Sequence, residues 1–153
     1  MDEEGENVIV ASFPKNNREV ICVGVSEYKG KNLIFLRAFV SALDHQLIPT
    51  RDGISLAIEK CDELVQGVRA LGEVMSSDKV VARIKKNTIQ EIWIGTNTYK
   101  DIPLIYIRTY AAYGDEDLKP TKLGISMKVN LYPQLLEAVE KLSIEVASLQ
   151  KNE

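Results

Sequence analysis

Leu47-Ile48-Pro49-Thr50-Arg51-Asp52-Gly53-Ile54-Ser55 returns 71 residues later as Leu118-Lys119-Pro120-Thr121-Lys122-Leu123-Gly124-Ile125-Ser126. The echo extends in both directions. At the same offset, residues 9–71 fall on 80–142 without a gap, and 21 of those 63 positions are identical. At average composition about one position in seventeen matches by chance, or roughly four in such a window. The identities also cluster. Ile21, Gly24, Tyr28 and Lys29 fall on Ile92, Gly95, Tyr99 and Lys100, and Leu33, Ile34 and Arg37 on Leu104, Ile105 and Arg108. Leu64, Val68 and Leu71 fall on Leu135, Val139 and Leu142. Self-similarity at a fixed offset is the mark of a repeated structural unit. Two copies of about 70 residues are joined almost without a linker, with the seam at residues 76–78.

Each copy reads in the same order. Residues 8–13 and 79–84 are short, β-branched runs and are predicted as first strands. Turn residues follow, and 19–28 and 90–99 are second strands. Hairpin loops at 29–32 and 100–103 lead to third strands over 33–40 and 104–111. Along the third strand Ile34, Leu36 and Ala38 share one face, while Phe35, Arg37 and Phe39 share the other. The second copy repeats this with Ile105, Ile107 and Thr109 against Tyr106, Arg108 and Tyr110. Fourth strands are expected near 47–56 and 118–127. A helix closes each copy: Cys61, Leu64, Val65, Val68, Leu71 and Met75 keep helical spacing, as do Tyr132, Leu135, Leu136, Val139, Leu142, Val146 and Leu149. Asn130 is the expected N-cap of the second helix, and Gly72 the expected end of the first.

The fold class is therefore α+β, with two tandem strand-strand-strand-strand-helix repeats. One helix cannot cover a four-stranded sheet and bury its own apolar stripe in so small a unit. The two copies are expected to pack helix to helix as an intramolecular pseudo-dimer about a pseudo-twofold axis. The boundaries read as an acidic tail over 1–7, a first repeat over 8–75, a seam over 76–78, a second repeat over 79–149 and a tail over 150–153.

Composition narrows the function. The chain has 153 residues, 45% hydrophobic and 27% charged, enough to build a core. No apolar run approaches the roughly 18 residues of a membrane span. The start, Met1-Asp2-Glu3-Glu4-Gly5-Glu6, lacks the positive and apolar stretches of a secretory signal. An intracellular protein is expected, cytoplasmic or nucleoid-associated, or nuclear in a eukaryote. Cys22 and Cys61 stand far apart, and His45 is the only histidine, which argues against a disulfide framework, a zinc site or histidine catalysis. No phosphate loop or nucleophile elbow is present, so the chain reads as a non-enzyme without cofactor or metal. The net charge of −3 hides a pattern. Residues 8–58 carry six bases against four acids and 79–128 nine against five, while the intervening and terminal blocks are acidic. Local field decides what a surface attracts.

Tyr28-Lys29-Gly30-Lys31, residues 33–39 and residues 49–55, with Tyr99-Lys100, residues 105–110 and residues 118–126, resemble the transcriptional coactivator positive cofactor four family. The resemblance covers both copies and implies the fold derived above. It also implies single-stranded DNA binding, by proteins that are usually homodimers. It places the family's hairpin aromatic on Tyr28 and Tyr99 and the next lysine on Lys29 and Lys100. The second hairpin lysine falls on Lys31 and on Ile102. The third-strand arginine falls on Arg37 and Arg108, and the lysine before the proline on Ile48 and Lys119. The first basic residue before Gly-Ile-Ser falls on Arg51 and Lys122. The second falls on Asp52 and Leu123, and the stacking tryptophan on Val40 and Ala111, so those features are absent here.

The residues support this chemistry unaided. Sequence-tolerant binding of a single strand needs cations along the phosphates and rings on which bases stack. Tyr28, Lys29, Lys31, Arg37, Arg51, Tyr99, Lys100, Arg108, Tyr110, Lys119 and Lys122 are the candidate binding residues, and the second copy holds the more basic fourth strand. Structural roles compete: packed tyrosines at 28 and 99, arginines 37 and 108 paired with acids, rings 39 and 110 at the core edge. Lys15, Arg83, Lys85 and Lys86 equally suit solvation of a turn or strand. Two other functions remain open. One is RNA binding. The other is a protein-interaction or scaffolding module that has lost nucleic acid, with transcription or replication proteins as partners. Further homo-oligomerisation is also open.

Overall fold

Alternation of aliphatic with aromatic or polar side chains builds four strands into each copy. The computed structural model describes residues 4–75, 77–114 and 117–151, with side chains from residue 7 onward. Ser76 of the seam, Asp115 and Glu116 of the second repeat's loop, and the outermost tail residues lie outside the described residues. The first sheet comprises β1 (Glu4–Pro14), β2 (Glu19–Tyr28), β3 (Lys31–Ser41) and β4 (Leu47–Ala57), followed by α1 (Cys61–Leu71). The second comprises β5 (Lys79–Lys85), β6 (Gln90–Tyr99), β7 (Ile102–Ala111) and β8 (Lys119–Lys128), followed by α2 (Tyr132–Lys151). Both sheets are antiparallel and run in chain order. The expected order of elements holds in both copies. β1 begins at Glu4, so part of the stretch read as an acidic tail is strand, with Glu4 opposite Tyr28.

Of the two expectations about helix ends, Asn130 is corrected and Gly72 holds. A 3-10 turn precedes each helix, over Ile58–Lys60 and Val129–Leu131. Asn130 sits inside the second turn and is not an N-cap; Val129 and Leu131 pack against the core on either side and turn it out to solvent. Gly72 does end α1, but with φ −59° and ψ −20°, a right-handed conformation open to any residue. Its lack of a side chain matters for another reason: a Cβ there would lie 3.1 Å from the Tyr132 hydroxyl.

The helices cross over. α1 packs on β5 and β6 of the second sheet, and α2 on β1 and β2 of the first. The helices touch each other, and the sheets meet along β4 and β8. Ile21, Val23, Ile34, Leu36, Leu64 and Val68 thus join Ile92, Ile94, Ile105, Ile107, Leu135 and Val139 in one core. Arg69 and Glu140 occupy equivalent positions and face each other at 3.2 Å, which places the pseudo-twofold axis between them. The Tyr132 hydroxyl donates to the carbonyl of Val68 at 2.8 Å, satisfying an orphan group at the end of α1 from the other repeat.

Gly67 shows how close the crossing is. A Cβ there would lie 2.7 Å from Ile94 Cδ1 and 2.9 Å from Ala82 Cβ. Glycine normally weakens a helix interior, yet here it lets α1 sit on the other copy's sheet. Gly67→Val is expected to destabilise the fold by about 1–3 kcal/mol through overpacking. A urea midpoint equal to that of the parent chain would show that α1 lifts away without strain.

Burial raises Cys61 from 9.0 to about 11, with Asp62 adding to the effect, and it also raises Cys22, Tyr106 and Tyr132. Each group holds its proton longer in the folded chain than in the unfolded one. Their contribution is whole below the unfolded values and is lost as pH climbs through the folded ones. Lys86, lowered by burial, acts in the opposite direction but stands against four groups. Urea stability measured from pH 8 to 11 is expected to fall steadily above about pH 9; a flat profile would show that the thiols and phenols titrate alike in both states.

Candidate nucleic-acid interface

With one face of each sheet committed to the shared core, the other is free for a ligand. Strand alternation places Cys22, Phe35, Arg37 and Phe39 on that face of the first sheet and Trp93, Tyr106, Arg108 and Tyr110 on that of the second. On the first sheet a hollow of about 270 Å³ is lined by Ser26, Tyr28, Phe35, Arg37, Phe39 and Ser55, among others. The equivalent hollow of the second sheet is lined by Asn97, Tyr106, Arg108, Tyr110 and Pro120, among others.

A shared irregularity shapes both faces. Arg37 pairs with Gly53, but Phe39 pairs with Pro49, so β4 carries extra residues that bulge outward. β8 repeats this, with Arg108 opposite Gly124 and Tyr110 opposite Pro120. The motif residues that recur across the copies build the bulge. The Thr50 hydroxyl donates to the Ala38 carbonyl at 2.7 Å and accepts from the Asp52 amide at 3.1 Å. Thr121 does the same with Thr109 at 2.8 Å and Leu123 at 3.1 Å. Prolines are tolerated because β4 and β8 are edge strands of their sheets. The glycines let the arginines lie close: a Cβ on Gly53 or Gly124 would approach the facing arginine Cα to 2.8 Å.

The candidate residues fall into three groups. Tyr28, Lys29 and Lys31 surround the β2–β3 hairpin, and Tyr99 and Lys100 the β6–β7 hairpin. Each hairpin turns on two residues with positive φ, Lys29 and Gly30 or Lys100 and Asp101, as two-residue turns of this twist require. Lys29 Nζ lies 5.3 Å from the centre of the Tyr28 ring, and Lys100 stands over Tyr99 at the same distance. Tyr99 is 61% exposed and Tyr28 39%. Arg37 and Arg108 are half-buried on the sheet faces. Arg108 Nη1 donates to the Thr121 carbonyl at 3.0 Å, whereas Arg37 Nε is buried with no hydrogen-bond partner among the described residues. Arg51 and Lys122 stand exposed on the bulges, and Lys119 is exposed at the start of β8. Tyr28 and Arg37 thus share one hollow, and Arg108 and Tyr110 share the other.

Tyr110 has a partner that sequence reasoning missed. Its ring stacks on Trp93 with centroids 3.8 Å apart and planes 7° from parallel. Arg83 covers the other face of Trp93 at 4.1 Å, and the indole N–H donates to Glu91 at 2.9 Å. The first copy has Cys22 in place of Trp93, so its hollow has no such stack. Alternation from the core residues Ile92 and Ile94 put Trp93 on the aromatic face, and that signal was available. Tyr113, 61% exposed beyond β7, is a further ring that the motif match passed over. Among the described residues no group of His, Cys, Asp and Glu could hold a metal ion, and no helix is long and apolar enough to cross a membrane.

The profile described as Transcriptional Coactivator p15 (PC4) matches residues 15–67 and again 87–138. No curated protein sequence matches. Among solved structures, a PC4 homolog from Burkholderia pseudomallei is 28% identical over 42% of this chain and 94% of its own, with a TM-score of 0.38. A bacteriophage T5 homolog of the eukaryotic transcription coactivator PC4, implicated in recombination-dependent DNA replication, is 19% identical over 49% and 90%, with a TM-score of 0.40. Each matched segment of the profile falls on one sheet-and-helix unit, and the chain belongs to the transcriptional coactivator p15 (PC4) family, with two tandem copies of its fold.

Proposed function

We propose that this chain binds single-stranded DNA with little regard to sequence, as a non-enzymatic factor in transcription regulation, replication or repair. The observation that carries this reading is the interleaving of rings and cations on the one sheet face that the core leaves free. Bases stack on exposed rings for about 1–3 kcal/mol each, and every base offers a π-face. Lysines on the hairpins and bulges meet phosphates beside those rings. The hollows are shallow enough for splayed, unpaired bases, while a duplex keeps its bases stacked inside.

Fluorescence anisotropy with labelled oligo-dT, oligo-U and a duplex, at low and high salt, tests the proposal. Single strands are expected to bind at micromolar protein or below, more tightly than the duplex, with affinity falling steeply as salt rises. The oligo-U arm separates RNA from DNA. One observation favours a protein-docking role instead: Trp93 and Tyr110 already stack on each other. Absence of salt-dependent single-strand binding at micromolar protein would favour that role and end the nucleic-acid reading.

The fourth strands make the copies unequal, since Lys119 and Lys122 face Ile48 and Arg51 in the alignment. Lys119→Ala with Lys122→Ala is expected to weaken oligo-dT binding about three- to tenfold more than Arg51→Ala, because two phosphate contacts are lost instead of one. Equal losses would show that β8 is not the stronger edge.

A further inference from the structure

Lys86 reaches out of its own repeat. It follows β5 in the second copy, yet its Nζ lies 3.4 Å from Ser55 Oγ on β4 of the first. Ser55 lines the hollow that also contains Tyr28 and Arg37. The equivalent lysine of the first copy, Lys15, instead has its Nζ 3.8 Å from its neighbour Glu19.

The two turns are otherwise built alike. Lys15 and Lys86 donate their backbone amides to the carbonyls of Glu19 and Gln90 at 2.9 and 3.0 Å. The side chain of Asn16 donates to that of Glu19 at 2.9 Å, and that of Asn87 to Gln90 at 2.7 Å. The difference facing each lysine is a carboxylate in one turn and a neutral amide in the other. An amide has no charge with which to hold an ammonium, so Lys86 extends to the first sheet. Burial there lowers its pKa. A partly desolvated cation beside a neutral hydroxyl gains from an approaching anion.

We propose that Lys86 is a nucleic-acid-binding residue of the first repeat's hollow, supplied by the second repeat, and that it takes a backbone phosphate of a strand whose bases meet Tyr28 and Arg37. This rests on the single-strand reading above. It restores a charge to a sheet whose fourth strand carries Ile48 where its twin carries Lys119. It also makes that hollow incomplete without the opposite copy.

The test is anisotropy over a salt series, with labelled oligo-dT of roughly twenty nucleotides, enough to span more than one site of this class. Lys86→Met is expected to weaken binding about three- to tenfold and to flatten the slope of log affinity against log salt by about 0.7, one single-strand phosphate contact. Lys15→Met is expected to change affinity by less than about twofold, since Glu19 already neutralises that lysine. Gln90→Glu keeps the hydrogen bond from Asn87 but gives Lys86 the carboxylate that holds Lys15. It is expected to reproduce most of the Lys86→Met loss in the parent chain and to add little on top of Lys86→Met, a non-additivity that mere repulsion by a new charge does not give. Thermal unfolding of each variant checks that the fold is intact. An unchanged salt slope for Lys86→Met, or full additivity of the two substitutions, overturns the role of Lys86 while the parent chain still binds. Failure of the parent chain to bind any single strand removes the functional reading and this inference together.

Discussion

Each helix seals the sheet of the other copy, and the remaining structure depends on that exchange. A four-stranded sheet with one 11-residue helix exposes more apolar surface than it can cover alone. Crossing α1 over β5 and β6, and α2 over β1 and β2, merges two insufficient cores into one. Fully burying an aliphatic side chain contributes about 1.5–3 kcal/mol, and Leu64, Val68, Leu71, Leu135, Val139 and Leu142 are all fully buried in this layer. Close approach is part of the same constraint. Gly67 on α1 and Ala138 at the matching place on α2 keep the helices tight against the opposite sheets.

Because the shared core takes one face of each sheet, the other face keeps only a small packed cluster, Cys22, Phe35 and Phe39 on the first sheet, and the residues around it can be chosen for chemistry. The bulge in the fourth strand then determines how that chemistry is displayed. Thr50 and Thr121 replace missing ladder bonds with hydroxyl bonds, so Arg51 and Lys122 project outward while Arg37 and Arg108 stay beneath. The faces have diverged within this shared frame. One holds an aromatic hollow with a guanidinium nitrogen that has no hydrogen-bond partner among the described residues, and the other holds a column of Arg83, Trp93 and Tyr110.

Much of this was legible from residues alone, for physical reasons. Period-two alternation and the 71-residue offset specify strands and their duplication, and β2 and β6 run over the residues expected of them. Helix ends were read less well. Asn130 has the chemistry of a cap, but the apolar residues on either side of it decide the path of the chain. The face holding Phe35, Arg37 and Phe39 was predictable from parity. Trp93 lies outside the family motif, whose tryptophan falls on Val40 and Ala111, so only strand parity points to it. The destination of Lys86 was not legible, because it depends on how the two copies sit together and on the exchange of one carboxylate for an amide.

Covalent continuity between the copies has its own consequence. Two separate, identical subunits would part on dilution and would carry every amino-acid change in duplicate. Here assembly is unimolecular, so the interface in which the Tyr132 hydroxyl reaches the Val68 carbonyl persists at any protein concentration. Each half is also free to specialise: position 61 keeps a sulfhydryl while its mirror position 132 carries a phenol that closes off a helix end. Left–right inequality of this kind gives the molecule a polarity that two identical subunits about an exact twofold axis would lack.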